Sequence, residues 1–216
     1  MAESNDDQKR VTIALKTVYC HKAQGVMDVD AFYVAGGAAT GPRSGSKSMT
    51  ILTSLVEIDS RQKKIFAGDG CIIFDGNVHV DDFVELGLQF RSMNVDVDES
   101  DFDDKYSALV SALTADVGAG VGSLAASASA KGAVAGAILS ATSPALARVQ
   151  ARASMYEDDV LGTVQKRVNV FDYPDGHSGP FTWKFADKYP NIIEGPDAWS
   201  EWDYEVGYTV EVGPAR

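Results

Sequence analysis

Five aspartates fall within nine residues, at positions 96, 98, 101, 103 and 104. Asp96, Asp98 and Asp104 stand at i, i+2 and i+8. Hard cations such as calcium take six to eight oxygens from flexible, carboxylate-rich loops. Unless a cation or solvent relieves it, such a run repels itself. A second pair, Asp28 and Asp30, lies between two β-prone runs, and a third acidic group is Glu157, Asp158 and Asp159. An insertion that leaves a sheet and comes back must bring its ends together, so Asp158 and Asp159 are expected near Asp96–Asp104. The plain alternative is a solvated acidic loop on an acidic protein.

Other chemistry is poorly supplied. The histidines, His21, His79 and His177, are scattered and have no H-x-x-x-H spacing for a metal. There is no G-x-S-x-G and no P-loop, and the Gly36–Gly41 run GGAATG lacks the lysine of a nucleotide loop. Cys20 and Cys71 lie in apolar, strand-like runs and read as buried free thiols, with a single bridge as the alternative. They are too few for a zinc site. The expectation is a binding protein and not an enzyme. Trp183, Trp199, Trp202, Tyr204 and Tyr208 allow a sugar-binding face, although packing is the commoner use of such residues.

The elements that must position the carboxylates are mostly strands. Of the 216 residues, 45% are hydrophobic and 23% charged, the balance of a globular chain. A net charge of −12 repels nucleic acid and anionic lipid unless a cation intervenes. Residues 1–10 are polar, read as a disordered lead, and lack the apolar stretch of a secretory signal, so cytoplasmic residence or leaderless export is expected. Alternating or continuous apolar runs predict strands over 11–19, 31–34, 49–58, 63–66, 70–74, 83–90, 160–170, 181–185 and 199–212. Loops are expected over 21–30, 36–47 and 188–196. Phe74-Asp75-Gly76-Asn77-Val78 carries a hairpin signal, and Tyr173 to Gly179 a turn. The fold class is mainly β, an antiparallel sandwich of about eight strands formed by 11–102 and 156–213.

Residues 103–155 break the pattern. From Val117 to Leu139 only Lys131 is charged, and Ala, Gly, Ser, Val and Leu dominate. Asp103 or Asp104 caps a helix whose Tyr106, Leu109, Val110, Leu113 and Val117 make one apolar stripe. Gly118 and Gly122, then Gly132 and Gly136, stand four apart, the spacing that lets two helix backbones approach closely. An Ala/Gly-rich α-helical hairpin insertion is expected, with a turn near 127–131. It serves contact with copies of the chain, entry into a membrane, or simple packing on the sandwich.

Three motifs carry a resemblance. Asp30-Ala31-Phe32-Tyr33-Val34 is similar, with one extra residue, to the Asp-Pro-Tyr-Val that ends a first loop in the C-two family of calcium-dependent phospholipid-binding sandwiches. Asp96, Asp98 and Asp104 match that family's Asp-x-Asp and its further Asp six residues on. Asp158-Asp159-Val160-Leu161-Gly162 matches its Asp-Asp-x-Leu-Gly. The resemblance implies that Asp30, Asp96, Asp98 and Asp104 or Asp158 are calcium ligands. Near the position of the family's earlier first-loop Asp stand only Asp28 and Gln24. About fifty residues separate the two halves of the last loop, an insertion usual members lack. The expected function is a calcium-responsive binding protein whose insertion mediates self-assembly, as a homo-oligomer, or phospholipid membrane contact. The alternatives are a metal-independent subunit of a homo-oligomer or filament, and a carbohydrate-binding module.

Overall fold

The computed structural model describes residues 7–23, 29–45, 48–53, 56–66, 68, 70–93, 159–173, 175–190 and 199–215. Among the described residues ten strands run in order: β1 (Gln8–Lys22), β2 (Val29–Thr40), β3 (Ser48–Leu52), β4 (Val56–Asp59), β5 (Gln62–Ile65), β6 (Cys71–His79), β7 (Phe83–Met93), β8 (Asp159–Asn169), β9 (Gly176–Pro190) and β10 (Trp199–Pro214). Short 3₁₀ turns at Pro42–Ser44 and Val170–Asp172 complete the described elements.

The strands form two antiparallel sheets. In the first, β1 pairs with β10 along its length, β10 pairs with β9, and the other side of β1 is shared by β6 and β5. In the second, β2 pairs with β7, β7 with β8, and the other side of β2 is shared by β3 and β4. Each sheet is therefore four strands wide with one divided edge. Alternation along β1 turns Val11, Ile13, Leu15, Val18 and Cys20 inward, and β10 contributes Tyr204, Val206, Tyr208, Val210 and Val212. Phe32, Val34 and Ala38 of β2 and Val84, Leu86, Leu88 and Phe90 of β7 meet them from the other sheet. Side chains of two inner faces interlock in this way in a face-to-face sandwich.

Several sequence expectations change. The Gly-rich composition of 36–47 predicts a loop, but β2 continues to Thr40. Glycine is what permits it: a Cβ at Gly36 would lie 2.1 Å from the Gly87 carbonyl oxygen, so β2 and β7 approach too closely for any side chain there. The Asp75-Gly76 hairpin signal is overridden as well. Both residues sit inside β6, where Asp75 accepts from Arg10 Nε at 2.7 Å, Arg10 Nη2 at 2.6 Å and Thr12 Oγ1 at 3.1 Å. A bidentate guanidinium on the neighbouring strand outweighs a local turn preference. The chain reverses instead at Val80 and Asp81. β1 opens at Gln8, inside the region expected as a lead, because Gln8 to Arg10 pair with β6. β9 begins at Gly176 and runs to Pro190, into the stretches expected as turn and loop.

The expected helical insertion, 103–155, lies outside the described residues, with Gly118, Gly122, Gly132 and Gly136. Among the described residues no α-helix occurs, and no helix is long and apolar enough to cross a membrane. Cys20 and Cys71 are free thiols, Cys20 buried and Cys71 half-buried. Burial pushes the Cys71 thiol above its ordinary range.

Candidate functional site at the loop-bearing end

Strand direction fixes which connections share an end. β1 finishes at Lys22, where Lys22 pairs with Asp203 near the start of β10, and Trp199 pairs with Pro190 at the finish of β9. In the other sheet β2 begins where β4 finishes, with Val29 opposite Asp59. β7 finishes with Met93 opposite Ala31, and β8 begins with Asp159 opposite Ser92. Residues 24–28, 94–158 and 191–198 therefore all depart from and return to one end of the sandwich. The β4–β5 turn closes the same end, with Arg61 in the left-handed region at φ 63°. It is tied to β1 by the Ala23 N–H, which donates to Ser60 Oγ at 2.9 Å.

Beneath that end the two sheets are stitched together by polar groups. Tyr204 of β10 donates its phenol O–H to Asp30 of β2 across the interior. Asp30 is 2% exposed and Tyr204 is fully buried. Burial, then the charge and hydrogen bond of Asp30, then Cys20, hold the Tyr204 phenol far above the ordinary tyrosine range. The Tyr204 ring stacks on Phe32 with centroids 5.7 Å apart. Beside it the Trp202 indole N–H donates to the Leu161 carbonyl of β8 at 3.0 Å. Phe185 of β9 lies over Gly162 and against Phe90, centroids 4.6 Å apart. The mouth of the third loop is thereby held against the mouths of the first two.

An open cleft of about 620 Å³ at this end is lined by His21, Lys22, Ala186, Asp187, Glu201, Trp202 and Asp203. Three of these seven are carboxylates. Lys22 forms an ion pair with Glu201. Just below, Lys184 Nζ lies 2.9 Å from Glu205, and His21 Nε2 lies 3.8 Å from the same carboxylate. The Lys184 hydrogen bond and charge, with a smaller contribution from His21, hold the Glu205 carboxyl below the usual range against partial desolvation. Among the described residues no group of three or more His, Cys, Asp or Glu side chains is disposed to hold a metal.

Of the sequence-expected carboxylates, Asp30 is the one whose side chain is described, and it faces the core. Asp159 opens β8 in register with Ser92, which itself pairs with Phe32, so Asp30 and Asp159 belong to the same end of one sheet. Asp28, Asp96, Asp98, Asp104 and Asp158 lie outside the described residues. The histidines stay apart: His21 packs edge-on to Tyr19, His79 sits at the finish of β6, and His177 Nδ1 is 3.1 Å from Glu211 on the opposite half of the first sheet. Tyr204, Tyr208 and Trp202 are interior, and Trp183 stacks on Tyr208 with centroids 3.8 Å apart. Tyr204, Tyr208 and Trp202 belong to the core, and half-buried Trp183 packs against it. Sequence reasoning missed the Tyr204–Asp30 tie, because its partners are 174 residues apart. The inward alternation of β10 was the available signal for Tyr204, with none for its partner.

No protein-family model matches the chain, and neither a curated protein nor a solved structure matches it.

Proposed function

We propose that this protein is a calcium-responsive binding module that works through the loop-bearing end of its sandwich. The observation that carries the reading is that 24–28, 94–158 and 191–198 all start and finish at one end. Asp28, Asp96, Asp98, Asp104, Asp158 and Asp159 belong to the first two of these connections or border them. Carboxylates gathered from separate loops are the donor set a hard cation prefers. Asp30 serves as the buried tie that fixes where the first loop emerges. The local excess of negative charge keeps the end away from acidic surfaces, and cation uptake reverses that repulsion. The partner is a phospholipid surface or a further copy of the chain, with Gly118, Gly122, Gly132 and Gly136 as the close-packing residues.

Calorimetric calcium titration of the full chain tests this. Heat of binding is expected, with a rise in melting temperature as calcium passes its dissociation constant, and both effects should vanish in the triple variant Asp96→Asn, Asp98→Asn, Asp104→Asn. An unchanged melting temperature at millimolar calcium removes the cation from the reading. Light scattering and liposome co-sedimentation, each with and without calcium, then separate assembly from membrane contact.

A further inference from the structure

Along β2 and part of β7 the second sheet is buried on both faces, and only one of these faces belongs to the core. Inward residues of β2 are Phe32, Val34 and Ala38, all members of the hydrophobic core. The alternate residues, Ala31, Tyr33, Ala35 and Ala39, point the other way and take no part in that core, yet are 0%, 0%, 1% and 6% exposed. On β7 the matching outward residues Glu85 and Arg91 are 8% and 3% exposed. Register joins them into one strip, with Tyr33 opposite Arg91, Ala35 opposite Gln89, Gly37 opposite Gly87 and Ala39 opposite Glu85. The strip ends at β8, where Thr163, Gln165 and Arg167 are exposed. Two breaks interrupt it: Gln89 is only half-buried, and over Gly87 an added Cβ would meet nothing within 4 Å.

The sequence of β2 agrees independently. After Asp30 it reads AFYVAGGAAT, apolar on both alternations, the pattern of a strand covered on both sides. A solvated outer face in an antiparallel sheet would carry polar residues at every second position. Every described element is a strand of the two sheets or a short turn joining them, so none lies on this face.

We propose that the occupant is the chain's own segment 94–158. It is the longest stretch outside the described residues, and both its anchors, Met93 on β7 and Asp159 on β8, belong to this sheet. Its run of Ala, Gly and Ser suits a strip whose own residues on β2 are mainly Ala and Gly, since small residues on both sides allow close approach. The assignment rests on the burial of this face and does not depend on calcium uptake at the loop-bearing end.

Photo-crosslinking of the full chain tests it, with p-benzoyl-phenylalanine at position 33 and, separately, at position 35. Irradiation of the dilute protein should join either position to peptides from 94–158 of the same molecule. Crosslinks between two molecules, crosslinks to peptides elsewhere in the chain, or none at all overturn the proposal. Because the probe is bulky, a second variant carries the question without it. In Ala35→Cys the new thiol should react about tenfold or more slowly than in Thr163→Cys, whose thiol lies on the same face but on exposed β8. That protection should be independent of protein concentration and should disappear after limited proteolysis within 94–158. Equal rates at the two positions, or protection that survives the cleavage, refute the assignment.

Discussion

Replacing Tyr204 with phenylalanine probes the tie beneath the loop-bearing end with little collateral change. The ring that stacks on Phe32 is kept, and so is the buried apolar area of β10. What is lost is the O–H that donates to Asp30, a carboxyl only 2% exposed. Leaving a buried acceptor without that donor costs about 1–3 kcal/mol, more for a charged group. In a chain of this length each kcal/mol moves the melting temperature by roughly 2–4 °C, so a loss of roughly 4–12 °C is expected for a cost of 2–3 kcal/mol. Urea denaturation followed by tryptophan fluorescence gives the free energy, and Trp202 reports from beside the tie. Asp30→Asn and the double variant complete a thermodynamic cycle. The double variant should lose less than the sum of the single ones, because each single change already breaks the same contact. If Tyr204→Phe lies within about 0.5 kcal/mol of the parent, the size of an ordinary surface change, the two sheets are not held by this bond.

Other outcomes follow from the packing. Gly162→Ala places a Cβ 2.1 Å from the Phe185 ring and should cost about 1–3 kcal/mol, with partial recovery when Phe185→Leu is added, measured by the same denaturation. At the opposite end Asp82 is 4% exposed and accepts from the Ser44 N–H and the Ser44 hydroxyl, each at 2.8 Å. Asp82→Ala should therefore lose about 1.5–3 kcal/mol. Gly41→Ala should disturb the same contact, since its Cβ would fall 1.6 Å from Asp82 Oδ1, and thermal melting checks both. Burial, with the neighbouring Tyr173, pushes the Tyr208 phenol up to about 12 from 10, and Tyr204 shifts in the same direction. The native state then holds protons that the unfolded chain releases. That stability is complete below pH 10 and is lost as the pH rises from 10 through 12, so melting temperature should fall across that window. A flat profile there would refute the buried placement of these phenols.

The strands legible in the sequence are those whose alternation is undisturbed. β7 and β10 are read from Leu86, Leu88 and Phe90 and from Tyr204, Val206, Tyr208 and Val210, and all seven are core residues. The second half of β2 is not legible, because glycine and alanine signal a loop by composition, while at Gly36 glycine is the one residue small enough for the backbone approach. Asp75-Gly76 misleads for a related reason: a turn preference is local, and the Arg10 guanidinium that cancels it comes from 65 residues away. At the candidate end the return of the long insertion to its point of departure was readable, and Asp159 pairs with Ser92. Which strands border that point was not readable, nor was the use of Asp30 as a partner of Tyr204, since both depend on pairings between distant parts of the chain.

The lengthwise polarity of the sandwich has a practical corollary. β10 spans Trp199 to Pro214, and sixteen residues at about 3.3 Å each set its two tips roughly 50 Å apart. A tether fixed just past Pro214 would hold the molecule by the tip remote from the three long connections. Immobilised that way on a sensor chip, every molecule would present the same working tip to an injected ion or vesicle, with the body of the sandwich as its spacer.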